Sequence, residues 1–498
     1  MEQVFVNIGW VILIIYILAL IYILGFSFMQ FHLLYYYKKN ISRLPELQKT
    51  LSIASDVPFV TIQLPVYNER YVIERLIDCM AGLDYPKDRF EIQILDDSTD
   101  DTTALAERKA EHYRKAGLQI EVVRRPDRKG YKAGALQYGM KTAKGEFIAI
   151  FDADFLPEKD FLQKTIPHFA DPEVGIVQTR WEHINEDYSV ITRLQAFQLN
   201  VHFTVEQNGR YFGDLPLQFN GTAGVWRRKT IEDAGGWKAD TLTEDLDLSY
   251  RAQLKNWKIK YLEHVGSPAE LPIEMNGFKA QQYRWMKGGA ETAKKILPAV
   301  WRSTLSLRKK LHATTHLLSS AIFVVVFLVG VFSVPMLFVL NYFPTPKHFL
   351  FYFLVSLIIV VFVYYVGNVQ TSWKHESKLR SVLKFLVLFP VFLALSMGMS
   401  FHNTIAVLQG YFGKRTPFVR TPKFDIKSIK DTVRAKKYLP TKINKTAIIE
   451  ALLALYFLFG FAAGIYIRDL SFIFFHLMLA IGYATISFFT FKHYAATR

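Results

Sequence analysis

The sequence predicts an α/β domain inserted in an α-helical transmembrane bundle. Between residues 59 and 272, short apolar runs alternate with helical stretches, a pattern typical of a mostly parallel sheet covered by helices. On both sides of this region the apolar runs are longer than a strand or helix of a soluble core requires. Hydrophobic residues make up 51% of the 498 residues, yet the net charge is +16. This combination indicates an integral membrane protein with a sizeable cytoplasmic domain.

The first element, within residues 1–37, is predicted to be a retained transmembrane helix. Its apolar run lacks a basic leading region and a small-residue cleavage site, and it is too long for the core of a signal peptide. Lys38, Lys39 and Arg43 follow it immediately. Because cytoplasmic flanks are enriched in Lys and Arg, the N-terminus is predicted to lie outside and the next segment in the cytoplasm.

The cytoplasmic α/β domain is predicted over residues 38–276. Ligands of parallel α/β sheets bind beyond the carboxyl ends of the strands, and three polar motifs follow apolar runs in this way. They are Pro65-Val-Tyr-Asn-Glu69, Asp96-Asp97-Ser98 and Asp152-Ala-Asp154. The predicted strands cover residues 59–64, 90–95, 118–123 and 147–151, and the predicted helices cover residues 74–82, 102–116 and 132–143.

The apolar runs that follow predict further membrane segments, near residues 315–341, 349–367, 382–410, 448–467 and 471–493. The charges around the run at 382–410 are unusual. Eleven Lys or Arg and two Asp lie between Lys414 and Lys445, and more basic residues precede the run. Both flanks are therefore predicted to be cytoplasmic, so the run crosses an even number of times or forms a partly interfacial helix, which we favour. The prediction is five to seven spans.

Composition sets the remaining boundaries. Residues 277–311 are amphipathic and rich in Lys and Arg, which predicts interface helices at the membrane surface. Residues 312–410 hold transmembrane helices and the interfacial helix, residues 411–446 form a cytoplasmic basic segment, and residues 447–498 form two C-terminal transmembrane helices.

The basic charge does not indicate nucleic acid as a partner, because the long apolar runs place the protein in a membrane. Anionic lipid headgroups and a phosphate-rich donor are the expected partners. Cys79 is the single cysteine, which excludes an intramolecular disulfide and a cysteine-based zinc site. The predicted location is the plasma or inner membrane, with the catalytic domain in the cytoplasm.

Asp152 and Asp154 are the predicted metal ligands. Alternate residues of an extended backbone point the same way, so the two carboxylates can present hard oxygen ligands to Mg2+ or Mn2+. A solvated loop is the plainer interpretation of Asp-x-Asp, but the preceding run at 147–151 is apolar enough to be buried. Asp96 and Asp97 also follow a strand, where alone they are better explained by a turn and a helix N-cap.

Two further motifs carry groups suited to catalysis. Glu244 and Asp245 begin a polar stretch; a carboxylate at a helix N-terminus is held ionised by the helix dipole, which suits a general base and a plain cap equally well. Gln281, Arg284 and Trp285 share one helical face by their spacing. Arg284 could instead reach lipid phosphates and Trp285 could anchor at the membrane interface.

Glycine-bearing strings are weaker signals. Lys129-Gly-Tyr-Lys132-Ala-Gly134 fits a phosphate-contacting loop or a solvated charge run, and Asn220-Gly-Thr-Ala-Gly224 fits a turn beside a ligand or only a turn. His183, His202 and His264 lack the spacing of metal ligands, so we interpret them as packing or capping residues.

The motifs together predict chemistry that none of them predicts alone. Carboxylates can hold a cation against a pyrophosphate, a later carboxylate can deprotonate a hydroxyl, and Arg beside Trp can meet a phosphate and a sugar ring. Transfer of a sugar from a nucleotide-diphosphate donor is therefore predicted. In these motifs the chain resembles the processive family 2 inverting glycosyltransferases of the cellulose, hyaluronan and chitin synthase group over residues 59–423. It looks closest to the cellulose synthase-like mannan and glucan synthases and their bacterial relatives.

The resemblance implies a GT-A domain, a Mg2+ or Mn2+ cofactor and roles for named residues. Asp245 would be the catalytic base with Glu244 beside it, Asp152 and Asp154 would hold the metal, and Phe418, Thr421 and Lys423 would belong to a gating loop. Arg420 stands where that loop often has Val. The implied donor site is Pro65, Tyr67, Glu69, Asp96, Asp97, Lys132, Asp152, Gln281, Arg284 and Trp285, and the implied acceptor site is Asn220, Gly221, Thr222 and Trp285.

The expected activity is transfer of a hexose from UDP-glucose or GDP-mannose to a growing β-linked polysaccharide by a membrane-embedded inverting enzyme. The expected partners are this donor, a polysaccharide or lipid acceptor and membrane lipids, with accessory subunits left open. One alternative is a non-processive enzyme with a lipid acceptor, similar to a ceramide glucosyltransferase. The other is a transporter or channel that senses nucleotide sugars, although the polar motifs lie outside the apolar runs where transport sites usually lie.

Overall fold

The computed structural model describes residues 2–43, 57–342, 350–372, 375–416, 419–426, 431 and 445–495. A seven-stranded sheet forms the centre of an α/β domain, and long apolar helices precede and follow this domain in the chain. The strands are β1 (Val60–Val66), β2 (Phe90–Asp96), β3 (Gln119–Val123), β4 (Phe147–Ile150), β5 (Val174–His183), β6 (Gly224–Arg227) and β7 (Lys258–Ala269). Their order across the sheet is β3-β2-β1-β4-β6-β5-β7.

The four strands predicted from the sequence form one parallel block. β1 pairs with β2 and β4, and β2 pairs with β3, all in parallel. β1, β2 and β4 are buried along nearly their whole length. β4 is continuously apolar, whereas β1 and β2 also carry buried polar side chains, and the Thr61 hydroxyl donates to the Glu91 carboxylate at 2.7 Å. Parallel strands end at the same edge of a sheet, so the residues that follow Val66, Asp96 and Ile150 come together there.

The other half of the sheet was not predicted. β5 pairs with β7 in parallel, but β6 runs antiparallel to both β4 and β5, so the sheet is mixed. Polar residues such as Gln178, Arg180 and Lys260 interrupt the apolar pattern of β5 and β7, which hides these strands in the sequence. The register places Gly224 opposite Ile150. The turn before Gly224 therefore lies at the same sheet edge as the residues that follow β4.

Helices cover both faces of the sheet. The predicted helices at 74–82 and 102–116 are confirmed within a residue, whereas the third ends at Gly139 rather than residue 143. Glycine is a common place for a helix to stop, because it weakens the helix interior. The helices of the α/β domain are α2 (Ile73–Ala81), α3 (Thr102–Lys115), α4 (Tyr131–Gly139), α5 (Phe161–Thr165), α6 (Val190–Val201), α7 (Gln207–Phe212), α8 (Arg228–Asp233) and α9 (Glu244–Gln253). A π-helical segment, His202–Glu206, joins α6 to α7.

The remaining α-helices are α1 (Glu2–Asn40), α10 (Met275–Arg302), α11 (Leu307–Leu317), α12 (Ile322–Tyr342), α13 (Leu350–Tyr365), α14 (Lys378–Gly398), α15 (Ser400–Tyr411), α16 (Thr446–Tyr466) and α17 (Ile473–Ala495). They include the long apolar ones, together with the amphipathic α10 and the short, basic α11. Within the described residues, six stretches are long and apolar enough to cross a membrane: Val6–Asn40, Ser319–Leu340, Leu354–Ser372, Lys378–Gly398, Thr446–Tyr466 and Ile473–His493.

The run predicted at 382–410 is divided at Met399 into α14 and α15. α15 lies along α10: the His402 Nε2 atom is 3.0 Å from the Lys279 carbonyl oxygen, and a Cβ on Gly410 would be 2.6 Å from the Lys287 carbonyl oxygen. α10 is thus packed between the α/β domain and the apolar helices.

Candidate active site

A cavity of about 250 Å3 lies at the carboxyl edge of the sheet, between the α/β domain, α10 and residues 419–426. Most residues that the sequence singled out line it, although they are scattered along the chain. Thr222 and Asp96 do not line the cavity, and Phe418 lies outside the described residues. The predicted residues that line it are Pro65, Tyr67, Glu69, Asp97, Lys132, Asp152, Asp154, Asn220, Gly221, Glu244, Asp245, Gln281, Arg284, Trp285, Thr421 and Lys423.

One end of the cavity is built from aromatic and guanidinium planes around Asp97. The Asp97 carboxylate accepts hydrogen bonds from Arg125 Nε at 2.7 Å and Nη2 at 2.6 Å. The Arg128 guanidinium lies 3.2 Å from the centre of the Tyr67 ring. Flat, polar-edged groups of this kind suit a nucleobase. Sequence analysis missed Arg125 and Arg128, although the basic string after β3 was the signal for them.

Asp96 points away from this end. Its Oδ1 atom accepts from the Ser98 backbone N–H at 2.9 Å, and its Oδ2 atom accepts from Thr103 Oγ1 at 2.6 Å. Only 2% of Asp96 is exposed. These contacts are those of a turn between strand and helix, which leaves Asp97 as the acidic residue that faces the cavity.

Two lysines neutralise the aspartates of the Asp152-Ala-Asp154 motif. Lys132 Nζ pairs with Asp152 and donates to the Gly221 carbonyl at 2.9 Å. Lys423 Nζ is 2.6 Å from Asp154 Oδ2. Burial alone would lower the pKa of Lys132, but Asp152, Glu244 and Asp245 hold it above its ordinary value. The cavity centre is thus an alternation of carboxylates and ammonium groups.

The fit of a divalent cation can be judged from these carboxylates. No group of three His, Cys, Asp or Glu side chains that could enclose a metal occurs in the described part of the chain. Mg2+, however, is usually held by one or two carboxylates and completed by substrate phosphates and water. Asp152 and Asp154 both line the cavity. They fit a cation that arrives with a diphosphate and do not fit a self-sufficient metal site.

Glu244 and Asp245 form the first turn of α9. Burial raises the pKa of Glu244. Burial, with repulsion from Glu244, raises the pKa of Asp245 to about 7. Gly221 has a φ of +80°, and a Cβ built on it would be 3.0 Å from Asp245 Oδ2. The turn at Gly221 therefore packs directly against this carboxylate, which leaves little room for a side chain at position 221.

Gln281, Arg284 and Trp285 lie on α10 and all three line the cavity, as their spacing predicts. Burial lowers the pKa of Arg284 to about 10, against the attraction of Asp152, Glu244 and Glu69. Arg284 therefore stays charged at neutral pH. Its Nη1 atom donates to the Val419 carbonyl at 2.6 Å.

Residues 419–426, here named the closing segment, cover one side of the cavity. Arg420 forms two hydrogen bonds with Glu69, at 2.9 and 2.7 Å. Burial raises the pKa of Glu69 to about 7, although Arg420 opposes this shift. The Phe424 backbone N–H donates to Glu270 Oε1 at 2.8 Å, and the Phe424 and Ile426 side chains are buried.

The cavity wall that contains Asn220 and Gly221 is supported by hydrogen bonds from the π-helical segment. His202 Nε2 is 3.0 Å from Asn220 Oδ1, and His202 Nδ1 is 2.8 Å from Glu206 Oε2. Thr222 Oγ1 accepts from the Asp152 backbone N–H at 2.8 Å and so positions that aspartate. The interpretation of His202 as a packing residue is incomplete, because it supports a cavity residue. His183, also interpreted as a packing or capping residue, lines the cavity as well, and Trp181 and Glu270 line it and were missed.

Comparison with known sequences identifies two overlapping signatures. Glycosyl transferase family 2 matches residues 61–232, and Glycosyl transferase family group 2 matches residues 147–367. Glucomannan 4-beta-mannosyltransferase 1 of Oryza sativa subsp. japonica is 44% identical over 264 residues, which are 52% of this chain and 51% of that protein. Glucomannan 4-beta-mannosyltransferase 9 of Arabidopsis thaliana is 42% identical over 264 residues, 52% of this chain and 50% of that protein. The matches span about half the length of these relatives.

Among solved structures, a mannosyltransferase of Pyrobaculum calidifontis, PcManGT, shares the fold. Its TM-score is 0.52 at 19% sequence identity, over 80% of this chain and all of that one. That protein was solved in complex with GDP-Man and Mn2+. The likeness confirms the predicted GT-A type of α/β domain.

Proposed function

We propose that this chain, a family 2 glycosyltransferase of the cellulose synthase-like type, transfers mannose from GDP-mannose to a growing β-linked polysaccharide. The convergence of the acidic motifs and the α10 face around one cavity carries this function, because a sugar transferase needs all of these groups within reach of one donor. The two plant mannosyltransferases favour mannose over glucose as the transferred sugar.

The nucleoside end of the donor fits beside Asp97. Arg128 and Tyr67 offer flat faces to a base, and Asp97 offers carboxylate oxygens to N–H or hydroxyl groups. The diphosphate would then lie towards Lys132 and Arg284, the cations at the cavity centre. Asp152 and Asp154 would hold a Mg2+ or Mn2+ ion, which when bound supplies further charge stabilisation to the diphosphate.

Asp245 is the proposed general base. An acceptor hydroxyl attacks the anomeric carbon from the face opposite the diphosphate and loses its proton to the Asp245 carboxylate. The new bond joins the acceptor oxygen to that carbon, the bond to the phosphate oxygen breaks, and the sugar configuration inverts. Lys132 and Arg284 offset the charge that develops on the leaving diphosphate. Gly221 leaves room for the acceptor beside the base.

The membrane completes the proposed setting. The six candidate spans would embed the protein, with the α/β domain on the cytoplasmic side where nucleotide sugars are made. Membrane lipids are then unavoidable partners, and the polysaccharide acceptor would meet the cavity from the side of α10. A lipid acceptor, the alternative with a single transfer, is distinguished by the size of the product.

The test is to incubate purified protein with radiolabelled GDP-mannose, UDP-glucose or UDP-N-acetylglucosamine and to size the product on a gel. We expect polymer from GDP-mannose, none from Asp245→Asn, which should still bind GDP, and normal polymer from Asp233→Asn, an exposed control in the same domain. Wild-type turnover by Asp245→Asn would refute the base. Transfer of another sugar would refute the donor, a single-sugar lipid product would refute the polymer, and binding without any transfer would favour a sensor.

A further inference from the structure

The Arg420–Glu69 pair joins two parts of the chain that are far apart in sequence. Glu69 lies on the loop after β1, and Arg420 lies in the closing segment. Both N–H···O bonds have the short, parallel geometry of a bidentate pair, and the two side chains are only 13% and 12% exposed. Such pairs are stronger than ordinary surface ion pairs, because water competes less for them.

The pair also restrains the next residues of the closing segment. Only Thr421 and Pro422 separate Arg420 from Lys423, and proline restricts the backbone between them. Arg420 on Glu69 and Lys423 on Asp154 therefore act as two attachment points a few residues apart. Thr421, between them, lines the cavity and is only 6% exposed. Release of Arg420 would leave Lys423 as the neighbouring attachment.

We propose that Arg420 is a positioning residue that latches the closing segment, through Glu69, over the cavity in which a nucleotide sugar would bind. The identity of the nucleotide rests on the proposed function, whereas the latch does not depend on it. Because the guanidinium binds both carboxylate oxygens, lysine is not an equivalent replacement.

The latch is tested by the labelling rate of a cysteine at position 421. The native Cys79 is first replaced by serine, and Thr421→Cys is then introduced, since the Thr421 hydroxyl makes no hydrogen bond within the described residues. We expect slow reaction with a thiol reagent. Added Arg420→Gln or Glu69→Gln should each speed labelling roughly tenfold or more, the effect of losing a charged hydrogen-bonded partner. Arg420→Lys should be intermediate.

Matched controls separate the latch from general loosening. Arg415→Gln removes an exposed cation from the same stretch and should leave the labelling rate unchanged. The exchange Arg420→Glu with Glu69→Arg should restore slow labelling. In a protein that keeps Cys79 and has Thr421 intact, Arg420→Gln should not change the labelling of Cys79. Equal labelling of residue 421 in Arg420→Gln and Arg415→Gln, or a parallel rise at Cys79, would overturn the proposal.

Donor kinetics give a second readout. With GDP-mannose, Arg420→Gln should raise KM roughly tenfold while kcat changes less, because the closed cavity is less populated before the chemical step. If the variants differ in labelling rate but the protein transfers no mannose, GDP-mannose is not the donor and the latch proposal is retained. If the protein transfers mannose but all variants label at the same rate, the latch proposal is wrong and GDP-mannose is retained as the donor.

Discussion

The carboxylate of Asp245 shows how single residues set the chemistry of this site. Burial and the charge of Glu244 raise its pKa to about 7, far above that of an exposed aspartate. A base must be ionised to accept a proton, so the active form is present above the pKa and is lost as the pH falls through it. With Asp245 as the proposed base, transfer would therefore depend on pH in the neutral range.

We expect kcat/KM for transfer to rise with pH up to about 7 and then to level off. The measurement is a pH profile from about pH 6 to about pH 8 at saturating metal. Glu69 also has a pKa raised to about 7, so Glu69→Gln is the control that separates the two carboxylates. A profile that stays flat in the wild type, or that becomes flat in Glu69→Gln, would contradict the assignment to Asp245.

Gly221 is the second residue whose role is set by geometry. Its φ is +80° and a Cβ would be 3.0 Å from Asp245 Oδ2 and 3.5 Å from Lys132 Nζ. Gly117 has a similar φ of +85° with nothing within 4 Å of a Cβ. Gly221→Ala and Gly117→Ala should both lose about 1 kcal/mol of stability, from backbone strain. Only Gly221→Ala should also lose transfer, roughly a hundredfold, because small displacements at a reacting centre are costly.

Thermal unfolding in detergent and transfer assays on the two alanine variants check this expectation. Equal activity losses would mean that Gly221 matters only as a turn, which is the plainer interpretation of its sequence.

At the residue scale, the sequence could predict those groups whose chemistry shows in a short pattern. Asp152, Asp154, Arg284 and Trp285 are of this kind, and all line the cavity. Glu270 is not, because it reaches the cavity only through the bulged pairing of β5 with β7, which no local pattern reveals.

Among the elements, α10 determines how Asp245, the proposed base, and the Gln281-Arg284-Trp285 face are placed relative to each other. Gly288 of α10 touches the residue before α9: a Cβ on it would be 2.6 Å from Thr243 Cγ2 and 2.8 Å from the Thr243 backbone nitrogen. The neighbouring Gly289 meets only Ser320, at 3.6 Å, an ordinary contact distance. Packing therefore requires a glycine at position 288 of α10 but not at position 289.

We expect Gly288→Ala to cost roughly 1–3 kcal/mol from overpacking and to lower transfer by displacing the start of α9. Gly289→Ala should be neutral or gain up to about 1 kcal/mol, since alanine favours a helix. Thermal unfolding and transfer rates of the two variants measure the difference. If both variants behave alike, the contact of α10 with Thr243 does not position the base.

Helix and strand prediction succeeded where one periodicity dominated. β1 and β2 were predicted because apolar residues recur at alternate positions, and β4 because its apolar run is continuous. α3 was predicted because its buried positions recur every four residues. β6 was missed because a four-residue strand takes its direction from the neighbours with which it pairs. That missed direction is what brings Asn220 to the edge that carries Asp152.

At the scale of the whole molecule, α10 also ties the cavity to the apolar helices. Lys279, two residues before Gln281, pairs with Glu450 of α16 at 2.7 and 2.8 Å, and the two side chains are 2% and 0% exposed. This pair links α16 to α10, and removal of one partner alone would leave a buried charge unpaired.

Hydrogen bonds on either side of residues 378–411 indicate how these residues lie. Before α14, Ser372 Oγ accepts from Arg180 of β5 at 3.0 Å; after α15, the Lys414 carbonyl accepts from Lys287 at 2.7 Å. Both flanks therefore touch the α/β domain or α10, while Met399 between the helices is only 2% exposed. A single crossing would separate these flanks by the thickness of a membrane, so we infer that α14 and α15 enter and return on one side, which leaves five full crossings.

Thiol labelling in sealed vesicles of known orientation tests this topology in a Cys79→Ser background. Lys378→Cys and Phe412→Cys, both at exposed positions, should react with an impermeant reagent only from the side of the α/β domain. Leu470→Cys, 61% exposed in the turn between α16 and α17, should react only from the opposite side. Labelling of positions 378 and 412 from opposite sides would make α14 a full span. That result would contradict the inference, because the Ser372 and Lys414 contacts require the flank before α14 and the closing segment to lie on the same side of the membrane.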